Sequence, residues 1–293
     1  MVCNSRKNEE EVKVQLYNLE NESRHIKQSA GNFSVLEYDR DPSVNVFNAQ
    51  TAYFMSEMNV RRRQVIVRLN GTNSAMIQAG AMQWMLGDVK VTTGVKGAGD
   101  FVGKMFKGVV TKESAIKPEY VGDGYLVLEP TYKYILLEDL SKWPDGLTIE
   151  DGMFYACDGG TKLNLTHMKN VSSTVLGKEG FFNLSLRGSG IAALESNVPS
   201  EELVRVDLNN ETLKIDGNLA MCWSSGLEFT VERTTKTLIG SAASGEGLVN
   251  VYRGTGTVLM SPISATSSLF ASTSDMSAKS AAKSSNTVFG SKQ

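Results

Sequence analysis

Residues 122–130 read GDGYLVLEP, residues 188–196 read GSGIAALES, and residues 254–262 read GTGTVLMSP. Each opens on Gly-x-Gly and runs on into apolar residues. The first glycines are evenly spaced (188 − 122 = 66; 254 − 188 = 66). Glycine reaches positive φ without penalty, so Gly-x-Gly in an extended pattern marks a bulge or a corner of a sheet. The apolar run after it reads as a strand buried on both faces.

A second element recurs between these stretches. Asp151-Gly152-MFYAC-Asp158 matches Asp216-Gly217-NLAMC-Trp223, and the continuations GTKLNLTH from Gly160 and GLEFTVER from Gly226 lie 66 apart (226 − 160 = 66). Ala79-Gly80-AMQWML-Gly87, running into DVKVTT, is a weaker earlier copy. A glycine turn, two strands, a variable loop, then Gly-x-Gly and a buried strand therefore occur three times. Outward from the repeats, short alternating runs such as Leu227–Glu232 and Leu203–Leu208, the latter meeting a turn at Asn209-Asn210, are punctuated by Gly, Asn and Asp. The fold class expected is all-β, a sandwich built from three internal repeats of about 66 residues with few or no helices. The repeats span about 79–130, 151–196 and 216–262. Residues 13–72 form flanking strands, Asn45-Val46-Phe47 and Gln64–Leu69 among them, and Trp143-Pro144-Asp145-Gly146 is an exposed turn.

The ends differ from this body. Residues 1–12 are polar, with no apolar core of a secretory signal and with an acidic run at Glu9–Glu11 that opposes a mitochondrial presequence. In residues 264–293, eighteen of thirty are Ser, Ala or Thr, a composition that buries too little apolar surface to offset ordering entropy, so a disordered tail is expected. No apolar run reaches the roughly 18 residues of a membrane helix. Thirty Lys+Arg against 32 Asp+Glu exclude broad electrostatic capture of nucleic acid. Three scattered cysteines and two histidines give neither a disulfide framework nor metal-ligand spacing, so no metal and no cofactor are expected, in a cytoplasmic protein.

Catalytic motifs are weighed against plainer accounts. Gly97-Ala98-Gly99-Asp100-Phe101-Val102-Gly103 has the wrong spacing for a dinucleotide loop and no βαβ setting. The segment from Asp100 to Lys107 carries short helical periodicity, with Phe101, Met105 and Phe106 on one side and Lys104 and Lys107 beside them. Lys104, Lys107, Phe101 and Phe106 are thus the candidate partner or ligand contacts, the alternative being a solvated basic face. Arg61-Arg62-Arg63 reads as solvent-facing or ion-paired. His167 has no nearby Gly-x-Ser-x-Gly elbow. Trp84 and Trp223 read as core residues. No catalytic residue is assigned.

The order AGAMQWMLGDVKVTTG, a glycine-rich basic segment, GDGYLVLEP, LTIEDGMFYAC, LRGSGIAAL and YRGTGTVLMSP resembles the altered-inheritance-of-mitochondria "24" family over roughly Gly71 to Pro262. Lys112-Glu113-Ser114 stands where that family usually has Gly-Glu-Ser/Thr. The resemblance implies a fold like the tryptophan RNA-binding attenuation protein (a double-stranded β-helix type of sandwich), a homotrimer, and no enzymatic activity. A non-enzymatic oligomeric scaffold with an unknown protein or small-molecule partner is the expectation. The alternative is a small-molecule or RNA-binding regulator by analogy with the attenuation protein.

Overall fold

The computed structural model describes residues 16–92, 117–167, 182–233 and 248–263. Among these residues the chain is mostly β, in two curled sheets. β1 (Arg24–Ala30) and β2 (Phe33–Tyr38) form a hairpin, followed by α1 (Ala49–Glu57). β3 (Arg63–Ile77), β4 (Met82–Thr92) and β5 (Glu119–Leu128) come next, then β6 (Tyr134–Asp139), β7 (Leu147–Ile149), β8 (Phe154–Asp158), β9 (Lys162–His167), β10 (Phe182–Arg187) and β11 (Ile191–Ser196). β12 (Val204–Asp216), β13 (Ala220–Ser224), β14 (Glu228–Arg233) and β15 (Leu248–Met260) follow among the described residues. One sheet runs β1-β2-β3-β8-β11-β6, with β5 joining β3 to β4; the other runs β12-β15-β13-β7-β10-β9, with β14 on β15. The middle of the chain therefore alternates between sheets, and every named pairing is antiparallel.

The strand register explains the glycines. β3 faces β5, and its register slips between Asn70 and Ser74. Gly71 there takes a φ of +83°, and the Asn70 Oδ1 accepts from the Thr72 and Asn73 amides at 3.0 and 3.2 Å. The slip thus has its own hydrogen bonds. β12 slips against β15 between Leu208 and Glu211, opposite Gly254 and Gly256. Three further one-residue bulges fall at Gln83 in β4, Tyr155 in β8 and Met221 in β13.

The first two apolar runs after Gly-x-Gly enter the core: Leu126, Val127 and Leu128 are fully buried, as are Ala192, Ala193 and Leu194. The third buries Val258 and leaves Leu259 and Met260 half-buried. Buried residues form clusters along the body, one of which packs Trp223, Phe229 and Tyr252 at centroid distances of 4.9 to 5.5 Å. Ring pairs at such separations add to the area term.

Several expectations are corrected. Asn45-Val46-Phe47 is not a strand; it lies in turns leading to α1, and Phe47 is 92% exposed. Asn209-Asn210 is no turn between strands. β12 runs through it, with Asn210 at a φ of +55° and its amide donating to Thr255 Oγ1. Trp143 sits in a turn but is buried, its ring in the central cluster and its Nε1 donating to Glu138 at 3.3 Å. Trp223 is core as expected, whereas Trp84 is half-buried.

Glu150, between β7 and β8, carries a pH consequence. Burial, helped by the charge of Asp151, pushes its carboxyl up to about 7 from an ordinary 4.5. The folded state therefore holds a proton that the unfolded state releases, so the fold weakens as pH rises from about 4.5 to about 7. We expect the loss to be about 3 kcal/mol at most. Urea unfolding at pH 5 and pH 7.5 should show Glu150→Gln losing that slope. A slope equal to the wild type's would contradict the assignment.

Candidate functional site

A cleft lies between α1 and the facing ends of β2 and β3. It encloses about 360 Å³. Asp39, Asp41, Arg61, Arg62 and Tyr132 contribute polar groups, and Val44, Ala52 and Met55 apolar ones. No residue of α1 is buried, and Asn48 at its start makes no side-chain cap. The helix is held by polar tethers instead. The Ser56 hydroxyl donates to the Asp39 carbonyl, and Arg61 Nε donates to the Ser56 carbonyl at 3.3 Å. Its outward side presents Tyr53 and Phe54, stacked edge to face at 5.5 Å, with Phe47, Val46 and Met58 also exposed.

Arg61 and Arg62 line the cleft and Arg63 follows them in the buried start of β3, each with an acidic partner. Arg63 and Glu37 are both 3% exposed and meet at 2.8 Å. Arg63 Nη2 also donates to the Asn59 carbonyl and Oδ1, and its guanidinium lies 4.1 Å from the Tyr134 ring centre. Asn59, just past α1, takes a φ of +59°, a conformation that asparagine tolerates. Arg61 reaches Asp39 at 2.5 Å and Glu37 at 3.3 Å, and His25 Nδ1 lies 2.8 Å from Asp39. Arg62 pairs with Asp41 at 2.7 Å and donates to the Tyr132 hydroxyl at 3.3 Å, which raises the Arg62 pKa despite partial burial. Carboxylates meet the charges of Arg61 and Arg62, and together with Arg40 these groups make the cleft a polar pocket with an apolar wall. It offers a small ligand hydrogen bonds and shape.

The expected contacts Phe101, Lys104, Phe106 and Lys107 lie outside the described residues, as does the tail 264–293. The side chain of His167 also lies outside the described ones. The arginine run is ion-paired, one of the two alternatives that the sequence left open. Its partners were beyond that reading, because Glu37 and Asp39 lie more than twenty residues away and reach it only through the β2–β3 pairing. Burial pushes the Cys157 thiol up to about 12 and raises that of Cys222 as well. Among the described residues no group of three or more His, Cys, Asp or Glu is placed to hold a metal ion. No helix among them is long and apolar enough to cross a membrane.

A family model described as Mitochondrial biogenesis AIM24 matches residues 57–263. An uncharacterised protein of Streptococcus pyogenes serotype M6 is 25% identical over 201 residues, 66% of this chain and 79% of the relative. An X-ray crystal structure of a Streptococcus pyogenes protein is similar in fold, with a TM-score of 0.50 at 20% identity. That likeness covers 76% of this chain and 94% of the other.

Proposed function

The chain belongs to the Mitochondrial biogenesis AIM24 family, and on that premise we propose that it is a non-enzymatic, homo-oligomeric β scaffold acting in the cytoplasm. Its body is read as three copies of one unit of attenuation-protein type: a first strand, a bulged second strand, and a third carrying Gly-x-Gly. Register supports the repeat. Tyr120, Leu186 and Tyr252 stand at equal intervals (186 − 120 = 66; 252 − 186 = 66). Each lies between a first-strand residue (Ala75, Leu147, Leu213) and a second-strand residue (Val91, Leu163, Phe229). The bulges at Gln83, Tyr155 and Met221 fall at one equivalent step.

The observation that carries assembly is apolar surface left open, on the loop and helix around Phe47 and Phe54 and along β4 at Met82 and Met85. Exposed apolar groups gathered in this way mark contact surfaces. The non-enzymatic reading is supported by the Cys157 and Cys222 thiols held protonated through burial and by Arg61, Arg62 and Arg63 already paired, which leaves those groups to structure. The α1 cleft is where an unknown protein or small-molecule partner docks. Light scattering after size exclusion of the full chain at micromolar concentration tests the assembly. A homotrimer gives three times 31.9 kDa, and a clean monomer overturns the proposal.

A further inference from the structure

Two strand edges carry a more specific reading, which rests on the oligomeric proposal. Within the chain, units join by one rule: the second strand of a unit pairs with the end of the first strand of the unit before. β8 joins β3 through Ala75↔Asp158, Met76↔Cys157 and Ile77↔Ala156. β13 joins β7 through Leu147↔Ser224, Thr148↔Trp223 and Ile149↔Cys222. The two junctions share a register, since Cys157 and Trp223 are equivalent (223 − 157 = 66) and Met76 and Thr148 hold the same place before them. Both bury their strands: four of the five residues of β8 are buried, and all five of β13.

The same rule leaves one edge unused at each end. The equivalent part of β4, Met82–Leu86, pairs only with β5 among the described residues, and its first five residues are exposed or half-buried. At the other end, Leu213–Ile215 of β12 pairs only with β15 among the described residues. We propose that β4 of one copy pairs antiparallel with β12 of a second copy, in the register of the two junctions inside the chain. Trp84 then faces Ile215, Met85 faces Lys214 and Leu86 faces Leu213. The occupant is a second copy because the surface on β4 and its complement on β12 belong to the same chain, and the junction already occurs twice within it.

The chemistry suits that partner. Met82, Trp84, Met85 and Leu86 present an apolar strand, and the stem of Lys214 covers a methionine while its ammonium stays in water. Lysine on an open edge also discourages pairing in other registers. The seam is heterologous, a β4 edge on a β12 edge, so it repeats head to tail from copy to copy, and the proposed homotrimer is the case in which it closes into a ring.

Disulfide trapping tests the seam on the full chain in a Cys3→Ser background. A chain carrying Met85→Cys is mixed with one carrying Lys214→Cys and then oxidised. Paired strands hold opposed α-carbons within the roughly 4.4–6.8 Å that a disulfide spans. The mixture should yield linked dimers on a non-reducing gel, while each variant alone stays unlinked. Failure to link in the mixture, or linking of Met85→Cys with itself, overturns the seam. If the wild-type chain still scatters as an oligomer in that case, assembly stands and uses another face. A wild-type monomer instead removes the oligomeric reading beneath the seam.

Discussion

Replacing Arg63 by alanine is expected to destabilise the fold by about 3–5 kcal/mol, among the largest losses of any single side chain here. Arg63 and Glu37 are buried together, and the guanidinium also satisfies Asn59 and covers the Tyr134 ring. Truncation leaves the Glu37 carboxylate in the interior with only the longer contact to Arg61 at 3.3 Å. An uncompensated buried charge is what makes the loss large; the pair itself is worth far less. The double variant Arg63→Met with Glu37→Leu should therefore recover most of the stability. Urea unfolding of the three proteins measures this. A loss below about 1 kcal/mol for Arg63→Ala would mean that water reaches Glu37 and that the pair belongs to the surface.

A second large effect is expected at Gly122. Its φ is +119°, and a β-carbon there would overlap the Asp88 carbonyl oxygen of the neighbouring strand. Gly122→Ala thus combines backbone strain with a collision between β4 and β5, and about 3 kcal/mol or more is the expected loss. Gly71→Ala is the control. Gly71 also has positive φ, +83°, but an added β-carbon meets nothing within 4 Å. It should lose only about 1 kcal/mol from strain alone. Equal losses at the two sites would show that close strand approach contributes nothing.

The fold was legible where a residue's local chemistry and its role coincide. Gly122, Gly188 and Gly254 announce backbone geometry that few other residues adopt, and all three take positive φ. The runs behind Gly122 and Gly188 are apolar because they are buried, and the run behind Gly254 buries Val258. Legibility failed where the two diverge. The residues AQTAYFMSE of α1 bury none of their side chains, so no apolar stripe of period 3.6 marks the helix. Val46 and Phe47 are apolar yet exposed, and they imitate a strand for that reason. Trp143 stands in a polar turn sequence whose backbone folds its ring back onto the core. The cleft was hidden for a different cause. Its carboxylates come from the end of β2 and its arginines from the start of β3, and only strand pairing brings them together.

A charge reversal across the β4–β12 seam tests strand pairing between copies in solution. Light scattering is run on the wild-type chain, on Met85→Lys, and on Met85→Lys combined with Lys214→Glu. Like charges directly opposed across strands destabilise pairing, and opposite charges restore it. The β4–β12 pairing predicts an oligomer for the wild type, a 31.9-kDa species for the single variant, and an oligomer again for the double variant. A Met85→Lys chain that keeps the wild-type mass, or a double variant that stays monomeric, would contradict it.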